Sequence, residues 1–175
     1  MIKLVVFLGN PGKEYEKTRH NAGFIVCDSL FSSASWQKKF HGLYAQERYR
    51  LLKPQTYMNV SGISVGEASA FFHLLPEEIM VVHDDLELPF GKVRLQQGGG
   101  LQGHNGLRSI KEALGSDQFV RIRIGIGRPA YGGGVARYVL SPFSGDEQIG
   151  LSLLIPKIRI FFDDPKTSPR EISLD

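Results

Sequence analysis

The sequence lacks the features that mark secreted, disulfide-bonded and membrane-spanning proteins. It has a single cysteine, Cys27, among 175 residues, which excludes an internal disulfide and predicts a reducing compartment. The apolar segment at residues 4–8 is too short for a signal peptide core, and no segment approaches the roughly 18 apolar residues of a membrane span. We therefore expect a cytoplasmic protein.

A large excess of one charge is also missing. The chain has 21 basic and 18 acidic residues, a formal charge of +3, and a sequence pI of about 9.0. This balance permits a phosphate-rich partner without requiring one. The length and a hydrophobic content of 42% are sufficient for one core and too small for two, which predicts a single domain over residues 1–175.

Strand and helix patterns alternate along the chain. Buried strands are expected at residues 2–8 and 79–82, which are continuous apolar runs. A first helix is expected from Asn21 or Ala22, and a second follows a polar loop at residues 54–62 with Ser61 as its cap. The alternation predicts an α/β fold with a mixed, mostly parallel twisted sheet flanked by helices.

The other expected elements are less regular. Before residue 115 they are a surface loop at residues 32–41, one strand at 44–53, a basic strand at 92–95 and a helix at 107–114. After it they are a strand at 119–126 with one solvated basic side, a flexible glycine loop at 131–134, a helix at 146–162 with a break or kink at Pro156, and a loose polar tail from Asp163.

Several matches to known motifs lack the required context. Residues 62–66, GISVG, match a serine nucleophile elbow but follow a loop instead of a buried strand. Residues 98–103 contain G-x-G-x-x-G, but the next strand has no acidic residue after it to bind a ribose. His83, Asp84 and Asp85 are consecutive, so they alternate between the faces of a strand, and no H-x-x-x-H or C-x-x-C pair supplies further ligands. We expect no metal and no cofactor.

One group of polar residues remains as a candidate site. His20 follows the first strand and Asp84 ends a later one, and the carboxyl ends of parallel strands are where sites form in α/β sheets. Asp84 could orient His20 as a general base toward water, and Asn10, Asn59 and Asn105 could hold an ester and its developing oxyanion. Each asparagine fits a turn position equally well, so the spacing alone leaves a His/Asp hydrolase as one alternative.

The same residues lie in five ordered segments that resemble bacterial peptidyl-tRNA hydrolases. The segments are LGNPGKEYEKTRHNAGF, PQTYMNVSG, VVHDDLELPFG, GHNGLRSI and RIRIGIGRP, and the resemblance covers about residues 2–141. It implies a monomeric, metal-independent cytosolic enzyme. Such an enzyme cleaves the ester between a peptide and the 3′ ribose of tRNA and thereby recycles tRNA from abortive translation.

The resemblance also implies roles for individual residues. His20 would be the general base, Asp84 its stabilising partner, and Asn10 would help to distinguish N-blocked peptidyl esters from free aminoacyl esters. Contacts with the 3′ end and the peptide backbone would come from Tyr15, Tyr57, Asn59 and Asn105. Possible contacts with tRNA phosphates come from Arg94, Arg108 and Arg123, which could equally form a solvated face.

Two departures from the family pattern accompany the resemblance. Leu101 and Gln102 stand where relatives commonly have histidine and glycine, which could alter how the glycine-rich loop closes on the substrate. Pro156 and the C-terminal residues also differ, which affects the expected outer tRNA contacts. The alternative functions are a non-catalytic RNA-binding module on the same fold and an esterase that acts on small molecules.

Overall fold

The structure is a computed structural model that describes residues 1–130, 134–165 and 169–175. Within these ranges the strands are β1 (Leu4–Phe7), β2 (Gln37–Lys39), β3 (Gly42–Gln46), β4 (Arg50–Pro54), β5 (Ile79–Asp85), β6 (Lys92–Gln97), β7 (Val120–Gly125) and β8 (Glu171–Ser173). The α-helices are α1 (Ala22–Leu30), α2 (Ser61–Phe72), α3 (Asn105–Leu114), α4 (Val135–Val139), α5 (Gly145–Ile158) and α6 (Ile160–Asp163).

The strands form one sheet in the order β2-β3-β4-β1-β5-β7-β6-β8. The central strands β4, β1, β5 and β7 are parallel, and the remaining neighbours pair antiparallel. The sheet is mixed and flanked by helices as predicted, although the antiparallel pairs outnumber the parallel ones. Because the central strands run in one direction, their carboxyl ends share one edge of the sheet.

Two apolar cores cover the sheet, one on each face. Side chains of α1, α5 and α6 pack on one face, and side chains of α2 and α3 pack on the other. Strand β1 lies between these layers and is fully buried from Leu4 to Phe7, which explains its uninterrupted apolar sequence. No helix among the described residues is long and apolar enough to cross a membrane.

The region before α2 differs from the prediction. The expected loop at residues 32–41 contains the edge strand β2, and the single strand expected at 44–53 is the hairpin of β3 and β4. The chain reverses at Glu47–Tyr49, where the Glu47 N–H donates to the Tyr49 carbonyl. These residues contain no glycine, proline, asparagine or aspartate to announce a turn.

Ser61 does not cap α2, contrary to the prediction. It is the first helical residue, Val60 precedes it as the cap position, and the Ser61 hydroxyl donates to the Met58 carbonyl at 2.8 Å. A short 3₁₀ turn at Met58–Val60 therefore leads directly into the helix.

The C-terminal region also differs from the prediction. Helix α5 runs through Pro156 and ends at Ile158. Proline has no N–H, so Pro156 cannot donate the helical hydrogen bond to the Ser152 carbonyl. Both Pro156 and Ser152 are exposed, so water can donate to that carbonyl instead. The expected loose tail contains β8, which pairs with β6. Of the expected glycine loop at 131–134, residues 131–133 lie outside the described residues.

Helices α2 and α3 approach closely at Gly62, within the GISVG sequence. A Cβ at Gly62 would lie 2.2 Å from the Ser109 carbonyl oxygen, whereas a Cβ at Gly66, one turn later, would lie 3.4 Å from the Ala113 Cβ. We expect Gly62→Ala to lower the free energy of unfolding by about 1–3 kcal/mol, since the helices must separate.

Gly66→Ala is the matched control, and its greater helix propensity should raise stability by up to about 1 kcal/mol. Urea unfolding of both variants tests this pair. Equal effects of the two substitutions would contradict the assignment of Gly62 to helix packing.

Candidate active site

The segment that follows β1 is held in place by two buried asparagines. The Asn10 N–H donates to Asn21 Oδ1 at 2.8 Å, and Asn21 Nδ2 donates to the Asn10 carbonyl at 3.0 Å. This reciprocal pair closes the chain between residues 10 and 21. The closed segment places the 3₁₀ turn Arg19–Asn21, and with it His20, beside the end of β5.

Asp84 of β5 joins two histidines. Its Oδ2 lies 2.9 Å from His20 Nδ1, and its Oδ1 lies 2.9 Å from His104 Nε2. The Asp84 side chain is 2% exposed, while those of His20 and His104 are 12% and 9% exposed. The buried carboxylate therefore has one imidazole on each oxygen.

The hydrogen bonds determine which nitrogen of each ring carries the proton. The Leu107 N–H donates to His104 Nδ1 at 3.3 Å, so the proton of the neutral His104 ring is on Nε2 and points to Asp84. The Asp84 carboxylate can only accept, so the proton of neutral His20 is on Nδ1. Its Nε2 is then an unprotonated acceptor, as a general base requires.

Charge and burial act together on these groups. Burial raises the pKa of Asp84, but His20 and His104 outweigh this effect and hold that pKa far below the ordinary value. Burial lowers the pKa of His20, but the charge of Asp84 and its hydrogen bond raise it above the ordinary value of 6.5. These groups line one cavity, whose other titratable or charged side chains are His83, Asp85 and Arg128.

By residue type, His20, Asp84 and His104 could also hold a metal, since their ligand atoms lie within 4.8 Å of one another. The hydrogen bonds oppose this use. A metal ligand needs an unprotonated nitrogen, whereas His104 Nε2 keeps its proton while Leu107 occupies Nδ1. The geometry fits a hydrogen-bonded base better than a set of metal ligands, and the absence of a metal remains a prediction.

Asn10 also connects the segment after β1 to the segment after β4. Its Oδ1 accepts the Met58 N–H at 2.7 Å, and its amide NH₂ has no hydrogen-bond partner among the described residues. The Tyr15 and Tyr57 rings meet edge to face at 6.5 Å beside this connection. Asn59 is exposed in the next turn.

A cavity of about 250 Å³ lies over the histidines. Asn105, the first residue of α3, lines it together with His20 and Asp84. Its remaining walls are mixed: Leu86, Leu101, Val135, Ala136 and Val139 are apolar, and His83, Asp85, Gln102 and Arg128 are polar or charged. Asn10 lines a second cleft together with Asn21, the residue after His20. The structure therefore brings His20, Asp84 and Asn105 together in one cavity and places Asn10 in a different cleft.

The three predicted phosphate contacts have different surroundings. Arg108 is exposed on α3, one turn after Asn105. Arg94 is exposed on β6 and donates to Glu171 at 2.8 Å. Arg123 is buried, where it donates to Asp85 and to Gln96, so the solvated basic side predicted for β7 is wrong.

Sequence reasoning missed two residues of the site. His104 lies next to Asn105 in the GHNGLRSI segment and has no predicted role, although a second histidine in a loop at the edge of the sheet is a reasonable partner for the Asp84 carboxylate. Arg128 lines the cavity and its guanidinium donates to Glu87. Its sequence signal is weak because a lone arginine after a strand usually lies in solvent.

Known proteins resemble this chain in sequence and in fold. The model of the family described as peptidyl-tRNA hydrolase matches residues 4–164. A peptidyl-tRNA hydrolase of Geotalea uraniireducens is 52% identical over 165 residues, covering 90% of this chain and 86% of the relative. One from Treponema pallidum is 55% identical over 153 residues, covering 81% and 76%.

A solved structure gives the same result. The crystal structure of peptidyl-tRNA hydrolase from Acinetobacter baumannii matches with a TM-score of 0.83 and 39% sequence identity, covering 94% of this chain and 91% of that chain. Sequence and fold therefore agree over nearly the whole length, and the chain belongs to the peptidyl-tRNA hydrolase family.

Proposed function

We propose that this protein hydrolyses the ester bond between an N-blocked peptide and the 3′ ribose of tRNA. The observation that carries the proposal is the Asp84 carboxylate between His20 and His104, which leaves His20 Nε2 free to accept a proton at the cavity. Family membership supports the same substrate. This reaction recycles tRNA from abortive translation, and we place the protein in the cytoplasm.

The chemical step needs a base, a water molecule and donors for the ester oxygen. His20 Nε2 takes a proton from water as the water attacks the ester carbonyl, and Asp84 stabilises the imidazolium that forms. The bond between the acyl carbon and the 3′ ribose oxygen then breaks, and the imidazolium gives its proton to that oxygen, which leaves the peptide acid and a tRNA with a free 3′ hydroxyl. Amide groups of Asn10 and Asn105 are available to donate to the developing oxyanion. Because an ester is more reactive than an amide, this set suffices without a covalent intermediate, a metal or a cofactor.

The same arrangement supports the recognition of a blocked substrate. The Asn10 oxygen is already committed to Met58, so its free NH₂ can donate to the acyl carbonyl that distinguishes a peptidyl from an aminoacyl ester. We assign Tyr15, Tyr57, Asn59 and Asn105 to the 3′ end and the peptide backbone.

The cationic contacts are assigned by exposure. Arg108 and Arg94 are exposed and can meet tRNA phosphates. We do not assign phosphate binding to Arg123, because its guanidinium is buried against Asp85. The enzyme is proposed to act as a monomer.

Hydrolysis of matched substrates tests the function. We expect the purified protein to release N-acetyl-amino acid from N-acetyl-aminoacyl-tRNA at equal rates with and without a chelator, and to leave free aminoacyl-tRNA intact. Release that requires an added metal would contradict the metal-free mechanism. Binding of tRNA without release would instead favour the RNA-binding module, and cleavage of a small ester that tRNA does not inhibit would favour a general esterase.

The pKa of His20 predicts the pH dependence of this activity. The base must be unprotonated, so activity is lost as pH falls through a pKa that lies above 6.5. In Asp84→Ala the charge and hydrogen bond that raise this pKa are gone while the burial that lowers it remains. The acidic limb of kcat/KM should therefore move to lower pH.

Profiles of kcat/KM from about pH 5 to about pH 9 for the wild-type protein and for Asp84→Ala test this prediction. The acidic limb of the wild-type protein should lie at higher pH than that of Asp84→Ala. A limb at the same pH in the two proteins would show that Asp84 does not act on the catalytic base.

A further inference from the structure

Arg121 of β7 is an arginine in the middle of the protein. Its side chain is fully buried, and it is the bulkiest of the fully buried side chains among the described residues. Burying an ion is unfavourable by several kcal/mol unless hydrogen bonds compensate. An apolar side chain could fill this volume without that penalty. The contacts that the guanidinium makes therefore indicate the role of Arg121.

The guanidinium joins two separate parts of the chain. Its Nε donates to His83 Nε2 at 3.1 Å, and one terminal nitrogen donates to the carbonyl of Gly100 at 2.7 Å and lies 3.4 Å from that of Gly98. The other terminal nitrogen is 3.7 Å from Asp85 Oδ2 and has no hydrogen-bond partner among the described residues. Arg121 thus connects β5 to the glycine-rich loop.

On the strand side, His83 transmits this connection to Asp84. Burial and the charge of Arg121 lower the pKa of His83 to about 3, so the ring is neutral at working pH. Since Nε2 accepts from Arg121, the proton is on Nδ1, which donates to the Asp84 carbonyl at 2.7 Å. Two hydrogen bonds, through His83, therefore connect the Arg121 guanidinium to the backbone of Asp84, the residue that orients His20.

On the loop side, Arg121 and Asp84 hold opposite ends of one short segment. Arg121 holds Gly100, and Asp84 holds His104 four residues later. The residues between them, Leu101 to Gly103, line the cavity. The segment includes left-handed backbone at Gln102 and Gly103, a conformation that non-glycine residues rarely adopt without external support.

We propose that Arg121 is a positioning residue for hydrolysis, which fixes the loop at residues 98–104 against β5 so that His104 and His20 share the Asp84 carboxylate. The inference rests on the proposed function for its kinetic consequence. When Gly100 is released, His104 moves from Asp84 and the carboxylate acts on His20 alone. The cavity wall formed by Leu101 is displaced at the same time.

Arg121→Lys tests the proposal, because lysine keeps the charge but not the planar fork that reaches His83 and Gly100 together. We expect kcat/KM to fall by about ten- to a hundredfold, as for a displaced catalytic group. Without its His104 partner the Asp84 charge acts more strongly on His20, so the acidic limb should move to higher pH. Ile122→Val, a small core change on the same strand, controls for lost stability and should leave the limb unchanged.

A second measurement uses the wild-type protein and no substrate. Nitrogen-15 NMR of the imidazoles should show His83 protonated on Nδ1 and His104 protonated on Nε2 at neutral pH. His83 protonated on Nε2 would overturn the proposal, even if Arg121→Lys does not fold. An Arg121→Lys enzyme that keeps the wild-type position of the acidic limb and a kcat/KM no lower than that of Ile122→Val would overturn it as well.

Failure of the proposed function gives a different result. In that case the wild-type protein releases nothing from N-acetyl-aminoacyl-tRNA, whereas the NMR assignment of His83 is unaffected. The two inferences are therefore separable in one set of samples.

Discussion

His20→Ala is expected to lower kcat for N-acetyl-aminoacyl-tRNA by about 10²–10⁴-fold, the usual contribution of a general base. The His20 side chain touches Asp84 through Nδ1, and its other nitrogen faces no competing donor among the described residues. Removal of the ring therefore deletes the proton acceptor. Binding of uncharged tRNA should change little, because His20 is not one of the proposed phosphate contacts.

His73→Asn is a suitable control for the loss of a histidine. His73 is exposed at the end of α2 in left-handed backbone, which asparagine tolerates, and it lies outside the cavity. Single-turnover rates and tRNA binding should be measured for both variants. If His20→Ala kept a rate close to that of His73→Asn, another group would have to be the base.

Asp84→Asn is expected to be more damaging than Asp84→Ala. The asparagine must present an oxygen to one imidazole and an NH₂ group to the other. His104 needs the oxygen, because Leu107 occupies its Nδ1 and the ring proton stays on Nε2. The NH₂ group then faces His20 Nδ1, which must accept, so the proton of His20 moves to Nε2 and the base is blocked.

The expected loss of kcat in Asp84→Asn is about 10²–10⁴-fold, similar to the loss of the base itself. In Asp84→Ala the His20 ring can still adopt either protonation pattern, so the decrease should be smaller. Rates of the two variants at a single pH above the wild-type limb provide the comparison. Equal rates, or a faster Asp84→Asn enzyme, would show that His104 does not dictate how the carboxylate is used.

The central part of the fold could be predicted because its signals are local. Strand β1 and the first four residues of β5, at 79–82, are continuous apolar runs, and each is followed closely by polar residues. The hairpin of β3 and β4 could not be predicted, since its turn at Glu47–Tyr49 lacks the usual turn residues. Strand β8 could not be predicted either, because it has only three residues in a polar tail and depends on pairing with the edge of β6.

The site could be predicted only in part. His20, Asp84 and Asn105 line one cavity because their segments lie at one edge of the sheet. The roles expected of these residues come from the resemblance of their segments to a known family. The burial of Arg121 and Arg123 could not be read from an alternating strand, because it depends on Asp85, on His83 and on loop carbonyls distant in sequence.

The protonation pattern of His20 in the wild-type protein tests the account most directly. Nitrogen-15 NMR above the raised pKa of this ring reports which nitrogen carries the proton. The account predicts a proton on Nδ1, bonded to Asp84, and an unprotonated Nε2 at the cavity. A proton on Nε2 would contradict it, because such a ring cannot accept a proton from water at the position where the ester binds.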